Sequence, residues 1–336
     1  MTMKMEKLNL TSEWDKTFPK SDKVDHEKIE FINRYGVTLA ADLYRPKGAV
    51  DEKLAAIAVS GPFGAVKEQS SGLYAQELAE RGFLTIAFDP SFTGESGGFP
   101  RNVASLDINT EDFSAAVDYL STRADVDPER VGILGICGWG GMAINAAAND
   151  PRIKATVAST MYDMSRVNAN GYFDADDSKE TRNAVRRQLC AQRTKDYKEG
   201  EYALAGGLPD VLPEDAPQYV KDYWAYYKTP RGYHPRSLNS NNGWNITSNL
   251  PFLNMPLLTY ADEIENAVLL VHGEKAHSRY LSDSTFKKLK ENDMADYEHH
   301  NKNYIIVPGA SHTDLYDQKD KIPFDAIETF CREHLK

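Results

Sequence analysis

A chain of 336 residues, 41% hydrophobic and 26% charged, has the composition of an ordinary globular protein and can bury a substantial core. Its net charge of −11 argues against nucleic acid or an anionic membrane as a main partner, because both need a basic surface. No apolar run is long enough to span a bilayer, and the start, "MTMKMEKLNLTSEWDK", lacks the apolar stretch of a signal peptide, so the expected location is cytoplasmic.

The predicted elements begin with a hairpin, "KIEFINRYGVTLAADLYRP", turning at Tyr35-Gly36 and closed by Pro46. From there strands and helices alternate. "LAAIAVSG" (54–61) reads as a strand, "SGLYAQELAERG" (71–82) as a helix ending at Gly82, and "FLTIAFDP" (83–90) as the next strand. A helix over 110–127 follows, then a strand at 130–136, a helix at 142–150 and a strand at 153–159. Regularity breaks between about 160 and 265. It resumes with a strand at 266–273, a helix at 282–293, a strand at 303–309 and a closing helix at 323–336.

Continuously apolar strands alternating with helices predict an α/β protein: a mostly parallel sheet covered by helices on both faces. Residues 1–160 and 266–336 form the expected core, with 161–265 inserted as a lid after the sixth strand. Ligands in such sheets bind beyond the carboxyl ends of the strands, which directs attention to the loops after residues 60, 89, 136, 159, 272 and 308.

Three of those loops carry Cys137, the segment "GEKAHSRY" and the segment "GASHTDLYD". Nucleophile, then acid, then histidine is the chain order of the α/β-hydrolase superfamily, which the chain resembles over nearly its whole length. "GIC" in place of G-x-S resembles the dienelactone hydrolase branch with a cysteine nucleophile. The insertion and "FDPSFTGESGG" also look like the X-prolyl peptidase branch, and "GPFGAVKEQSSGLYAQELAERG" resembles dienelactone-hydrolase-like proteins near the polyketide transferases.

Cys137 stands where strand meets helix, with Gly135 and Gly140 as the small neighbours such an elbow needs; Trp139 replaces the usual glycine two residues on. A helix N-terminus behind the sulfur and an imidazolium nearby predict a partly ionised thiol at neutral pH. His312, past the last strand, is the expected general base. The resemblance implies an aspartate three residues after the glycine ending strand seven, but Ala276 occupies that position. Glu274 is therefore the leading acid and Asp163 the alternative, the latter equally readable as a helix N-cap. For the oxyanion hole, Gly138 supplies one backbone N–H; Pro62 has none, so Phe63 supplies the other.

The segment "EDAPQYVKDYWAYYK" predicts a lid helix with Tyr219, Tyr223, Tyr226 and Tyr227 on one face. Trp139, His277, Tyr223 and Tyr227 are the expected substrate contacts, and an apolar or aromatic small-molecule acyl group is the expected substrate. His272 reads as a structural hydrogen bonder near the site. The spacing in "GICGWGG" fits neither a dinucleotide fingerprint nor a P-loop, and the cysteines at 137, 190 and 331 lack metal spacing, so neither cofactor nor metal is expected. A homo-oligomer is left open. Three functions survive: a hydrolase of esters, lactones or thioesters working through a Cys137 acyl-enzyme, an acyl transferase using the same intermediate, and a binding protein on a degenerate hydrolase scaffold.

Overall fold

The computed structural model describes residues 4–49, 53–291 and 301–336. Eight strands form one sheet: β1 (Val24–Ile32), β2 (Thr38–Pro46), β3 (Leu54–Ser60), β4 (Leu84–Phe88), β5 (Val126–Ile136), β6 (Ala155–Ser159), β7 (Ala267–Gly273) and β8 (Lys302–Val307). Their order is β1-β2-β4-β3-β5-β6-β7-β8. β2 runs antiparallel to β1 and β4; every other pairing is parallel. All residues of β3, β4, β6 and β7 are buried, as strands covered on both faces must be.

Helices α1 (Ser70–Glu80), α2 (Leu106–Ser121) and α3 (Gly138–Asn149) carry the first three crossovers. α2 starts earlier than its apolar face alone predicts, because the Ser105 hydroxyl caps it by accepting from the Ile108 amide at 3.3 Å. Between β6 and β7 lie α4 (Met164–Asn170), α5 (Lys179–Glu199), α6 (Gln218–Tyr227) and α7 (Asn249–Phe252), joined by irregular chain. α8 (Arg279–Leu289) follows β7, while the one-turn helix α9 (Asp314–Asp317) and α10 (Phe324–His334) follow β8. The helix expected over 282–293 starts three residues earlier, at Arg279, and ends at Leu289; residues 292 and 293 of that expectation lie outside the described residues. No helix among the described residues is long and apolar enough to cross a membrane.

β3 lies between β4 and β5, so the chain leaves it first to one side and then to the other. That reversal opens a crevice at the carboxyl ends of β3 and β5, where Ser60 stands opposite Gly135. The loops at residues 61–69 and at Cys137 therefore meet at its mouth.

A buried ionic cluster holds the first of these loops. The Lys67 ammonium has no solvent exposure and lies 2.6 Å from Glu68, 2.9 Å from Asp89 and 2.6 Å from Glu95. Lys28 from β1 reaches Glu95 at 2.5 Å, and Arg236, from the segment between β6 and β7, reaches Glu68 at 2.9 Å and Asp15 at 2.7 Å. The three carboxylates lie close enough together to hold a cation, and Lys67 Nζ bonds to each of them. Burial alone would push the Lys67 pKa down; Asp89, Glu68, Asp42 and Glu95 together reverse this and hold it well above the usual lysine value. Asp89 also accepts from the Lys67 and Glu95 amides at 2.8 Å each, joining the loop after β3 to the loop after β4.

Lys67→Met leaves those carboxylates buried without their central cation. We expect a loss of about 3–5 kcal/mol of stability, read from the urea unfolding midpoint. An unchanged midpoint would show the cluster to be dispensable.

Candidate active site

β5 ends at Ile136 and α3 begins at Gly138, leaving Cys137 alone at the junction with φ 59° and ψ −126°. A non-glycine residue in this region carries strain of about 1–3 kcal/mol and persists only where its surroundings impose it. Here the Cys137 amide donates to the Ser159 carbonyl at 3.0 Å, and the Cys137 carbonyl accepts from Gly140 at 2.8 Å and Tyr162 at 2.9 Å. The glycines expected around the elbow are sterically required. A Cβ on Gly135 would stand 2.0 Å from the Trp139 carbonyl oxygen and one on Gly140 would stand 3.0 Å from Met161 Cα; one on Gly138, not among those expected, would stand 2.8 Å from Phe63 Cβ.

That last approach places the loop after β3 directly against the elbow that carries Cys137. The backbone amides of Gly138 and Phe63 and the hydroxyls of Tyr316 and Tyr223 are the polar groups near the Cys137 thiol that favour its ionised form. Burial nevertheless dominates and pushes the thiol above its ordinary pKa, against the pull of Tyr316, Gly138, Phe63 and Tyr223. The expected partial ionisation at neutral pH is thus corrected: Cys137 rests as a thiol. The reason is the lack of any charged partner for the thiolate.

His312 is buried in the loop between β8 and α9. Its Nε2 lies 3.0 Å from the hydroxyl of Tyr316, a residue that borders the same cavity as Cys137. Its Nδ1 lies 2.6 Å from Ser278 Oγ and 2.9 Å from Thr160 Oγ1. Burial, with His277 and His272 close by, holds His312 well below the usual histidine pKa.

Neither acid expected from the sequence is at that imidazole. Glu274 is exposed and accepts from the Gly309 amide at 2.8 Å, because its side chain turns along the β8 loop. Asp163 caps α4, accepting from the Ser165 and Arg166 amides at 3.0 Å each. Among the described residues no carboxylate hydrogen-bonds to His312.

A cavity of about 340 Å³ opens onto Cys137, walled by Phe63, Tyr162, Tyr172, Tyr223, Tyr227 and Trp244, with Asn168 and Asn239 as polar members. Tyr223 and Tyr227 come from α6, as its aromatic face predicts. Tyr226, on the same face, instead packs 5.0 Å from the Tyr316 ring. Two expected substrate contacts lie elsewhere. Trp139 points down into the core, its ring 5.9 Å from Phe88 and 5.5 Å from Phe113, because the second residue of α3 faces the sheet. His277 stacks on Tyr219 at 4.8 Å and faces His312 at 5.2 Å rather than lining the cavity; burial lowers its pKa to about 4.

Sequence reasoning missed Tyr316, Ser278 and Thr160. For Tyr316 a signal existed: in "HTDLY" it follows His312 by four residues, the spacing that brings two side chains onto one helical face.

The sequence profile of the X-Pro dipeptidyl-peptidase (S15) family matches residues 35–314. The chain belongs to the S15 family. Within that frame it is 57% identical to PA2218 of Pseudomonas aeruginosa over 329 residues, 98% of this chain and 86% of that protein. The crystal structure of PA2218 superposes with a TM-score of 0.92 over 98% of this chain and 99% of that one. The α/β hydrolase GrgF from a Penicillium species is only 18% identical but superposes at 0.74 over 93% of this chain and 99% of its own, so the S15 chain has the α/β-hydrolase fold. Polyketide transferase claH of Penicillium crustosum is 31% identical over 134 residues, 40% of this chain and 44% of that protein.

Two outcomes check the site geometry. At pH 7, iodoacetamide should modify exposed Cys190 before Cys137, and should modify Cys331 poorly, because burial pushes that thiol up to about 12. Peptide mapping reads the order, and rapid selective labelling of Cys137 would show an ionised thiol instead. Asp163→Ala should cost about 1 kcal/mol in thermal unfolding as a lost cap, whereas Asp163→Asn, which still caps, should cost little.

Proposed function

We propose that this chain is a hydrolase of uncharged esters, lactones or thioesters bearing an apolar or aromatic acyl group, with Cys137 as nucleophile. The observation that carries this reading is the Cys137 thiol itself, held on a strained elbow between two backbone amides and a hydroxyl that leads to His312. As Sγ attacks the carbonyl carbon, its proton passes to the Tyr316 oxygen while the Tyr316 proton passes to His312 Nε2. The carbonyl oxygen gains negative charge beside the Gly138 and Phe63 amides, which stabilise it. Collapse breaks the bond to the leaving group, which takes the proton back from His312 through Tyr316, leaving a Cys137 thioester. Water then attacks that thioester by the same route, releasing the acid and restoring the thiol.

The cavity lining supports an uncharged substrate. A dipeptidyl-peptidase substrate presents a free terminal ammonium, and no carboxylate is among the residues lining this cavity. The likeness to a protein named polyketide transferase supports a second reading, in which an alcohol or amine replaces water in the final step.

A panel of p-nitrophenyl benzoate, an aryl thioester and alanyl-prolyl p-nitroanilide tests the proposal. The first two should be turned over and should add an acyl mass to Cys137, and Cys137→Ala should abolish both effects. Tyr316→Phe should lower kcat/KM by roughly 10²–10³-fold, the scale of a lost proton-transfer group. Turnover surviving in Cys137→Ala, or preference for the prolyl substrate, would overturn it. Added alcohols giving ester products would favour transfer, and a folded protein with neither turnover nor adduct would favour the binding-protein reading.

A further inference from the structure

The acid of the usual triad has no counterpart at His312, yet the imidazole is not left unsupported. Ser278 Oγ sits 2.6 Å from His312 Nδ1 and 2.9 Å from His272 Nε2, and His272 Nδ1 sits 2.7 Å from Ser282 Oγ. Thr160 adds a second hydroxyl to His312 Nδ1 at 2.9 Å, from a residue held at φ 46°. His272, Ser278, Ser282 and Thr160 have no solvent exposure. We propose that Ser278, backed by His272, is the positioning residue for His312, replacing the acid with an uncharged hydroxyl–imidazole chain.

The position of Ser278 in its helix supports this. It is the N-cap of α8, where a serine hydroxyl ordinarily accepts from a helix amide, but here its side chain makes no capping bond. The hydroxyl serves the two imidazoles instead. One consistent set of hydrogens runs through the chain. His312 Nδ1–H donates to Ser278, Ser278 O–H donates to His272 Nε2, and His272 Nδ1–H donates to Ser282. This leaves His312 Nε2 as the acceptor facing Tyr316, the tautomer a base at that position needs.

The groups around His312 keep the arrangement uncharged. Its ring neighbours are His277, His272, Tyr162, Tyr223 and Tyr316. The acidic residues on neighbouring segments are committed elsewhere: Asp314 to Lys321 at 2.7 Å, Asp317 to Arg231 at 2.6 Å and Glu274 to Gly309. Arg279, next to Ser278, pairs with Asp283 at 3.4 Å. Burial lowers His272 to about 3 and holds His312 well below its usual value, so both rest neutral. A base of this kind keeps accepting protons at a pH where a carboxylate-paired histidine is already protonated.

This inference rests on the Cys137–His312 reading, but part of its test needs no substrate. Nitrogen–proton correlation spectra of the wild-type imidazoles should show His272 and His312 neutral from pH 5.5 to 8, with the His312 proton on Nδ1. A His312 that titrates at its ordinary value, or carries its proton on Nε2, overturns the proposal. Ser278→Asp places a carboxylate at Nδ1 and should favour the imidazolium–thiolate pair. Alkylation of Cys137 at pH 7 should then rise about tenfold, as a one-unit drop in thiol pKa requires. With an ester substrate, the acid limb of kcat/KM should move to higher pH in the same variant. Ser278→Ala should lower kcat with KM unchanged, and Ser278→Thr should recover much of it. A folded Ser278→Asp protein with the wild-type alkylation profile, or a Ser278→Ala enzyme with full kcat, overturns the assignment. Loss of ester turnover across the whole panel, with the spectra as expected, would count against the hydrolase reading alone.

Discussion

A single dehydrated ammonium underlies the working end of this molecule. Lys67 gathers carboxylates from the loop after β3 and the loop after β4, and Lys28 and Arg236 close the charge balance from a strand and from the segment between β6 and β7. Such a cluster is a weak source of net stability, because desolvation offsets most of the attraction. Its value is geometric. An ionic group buried among fixed partners cannot slide, so the loop bearing Phe63 is held where its amide meets Cys137. The strain at Cys137 is tolerable for the same reason, since the surrounding chain is already committed.

Arg236 gives that anchoring a second effect. It belongs to the segment between β6 and β7, yet its guanidinium contacts Asp15 and Glu68 of the cluster. Asn239, three residues on, donates to the Phe63 carbonyl at 2.8 Å, and the Asn239 amide donates to the Gly64 carbonyl at 3.1 Å. The segment over the site is tied to the loop that supplies a thiol-facing amide. Cavity wall and amide donor are thus parts of one hydrogen-bonded unit.

How much of this was legible in the sequence depended on the kind of signal. The alternation of apolar runs and helices revealed the sheet, because a strand covered on both faces must be apolar throughout. The glycines around Cys137 marked the elbow, and the structure brings the Gly138 and Phe63 amides to the thiol. Trp139 misled because the family comparison placed a glycine there, whereas the helix geometry turns that side chain to the sheet. The partners of His312 were not legible. They are serine and threonine hydroxyls from residues 160 and 278, joined to a histidine at 272, and isolated small polar residues carry no periodic or spacing signal. The missing aspartate at Ala276 was visible; which groups meet His312 Nδ1 required the fold.

The neutrality of the Cys137 thiol also bears on its survival in oxidising surroundings. Peroxides attack thiolates, and a cysteine that sits as a buried thiol gives them little to react with. In the proposed mechanism deprotonation occurs only as a carbonyl carbon arrives to take the electron pair, which would uncouple reactivity toward small oxidants from reactivity toward acyl groups. Peroxide should therefore inactivate this site slowly compared with enzymes whose cysteine is stored as an ion pair with histidine.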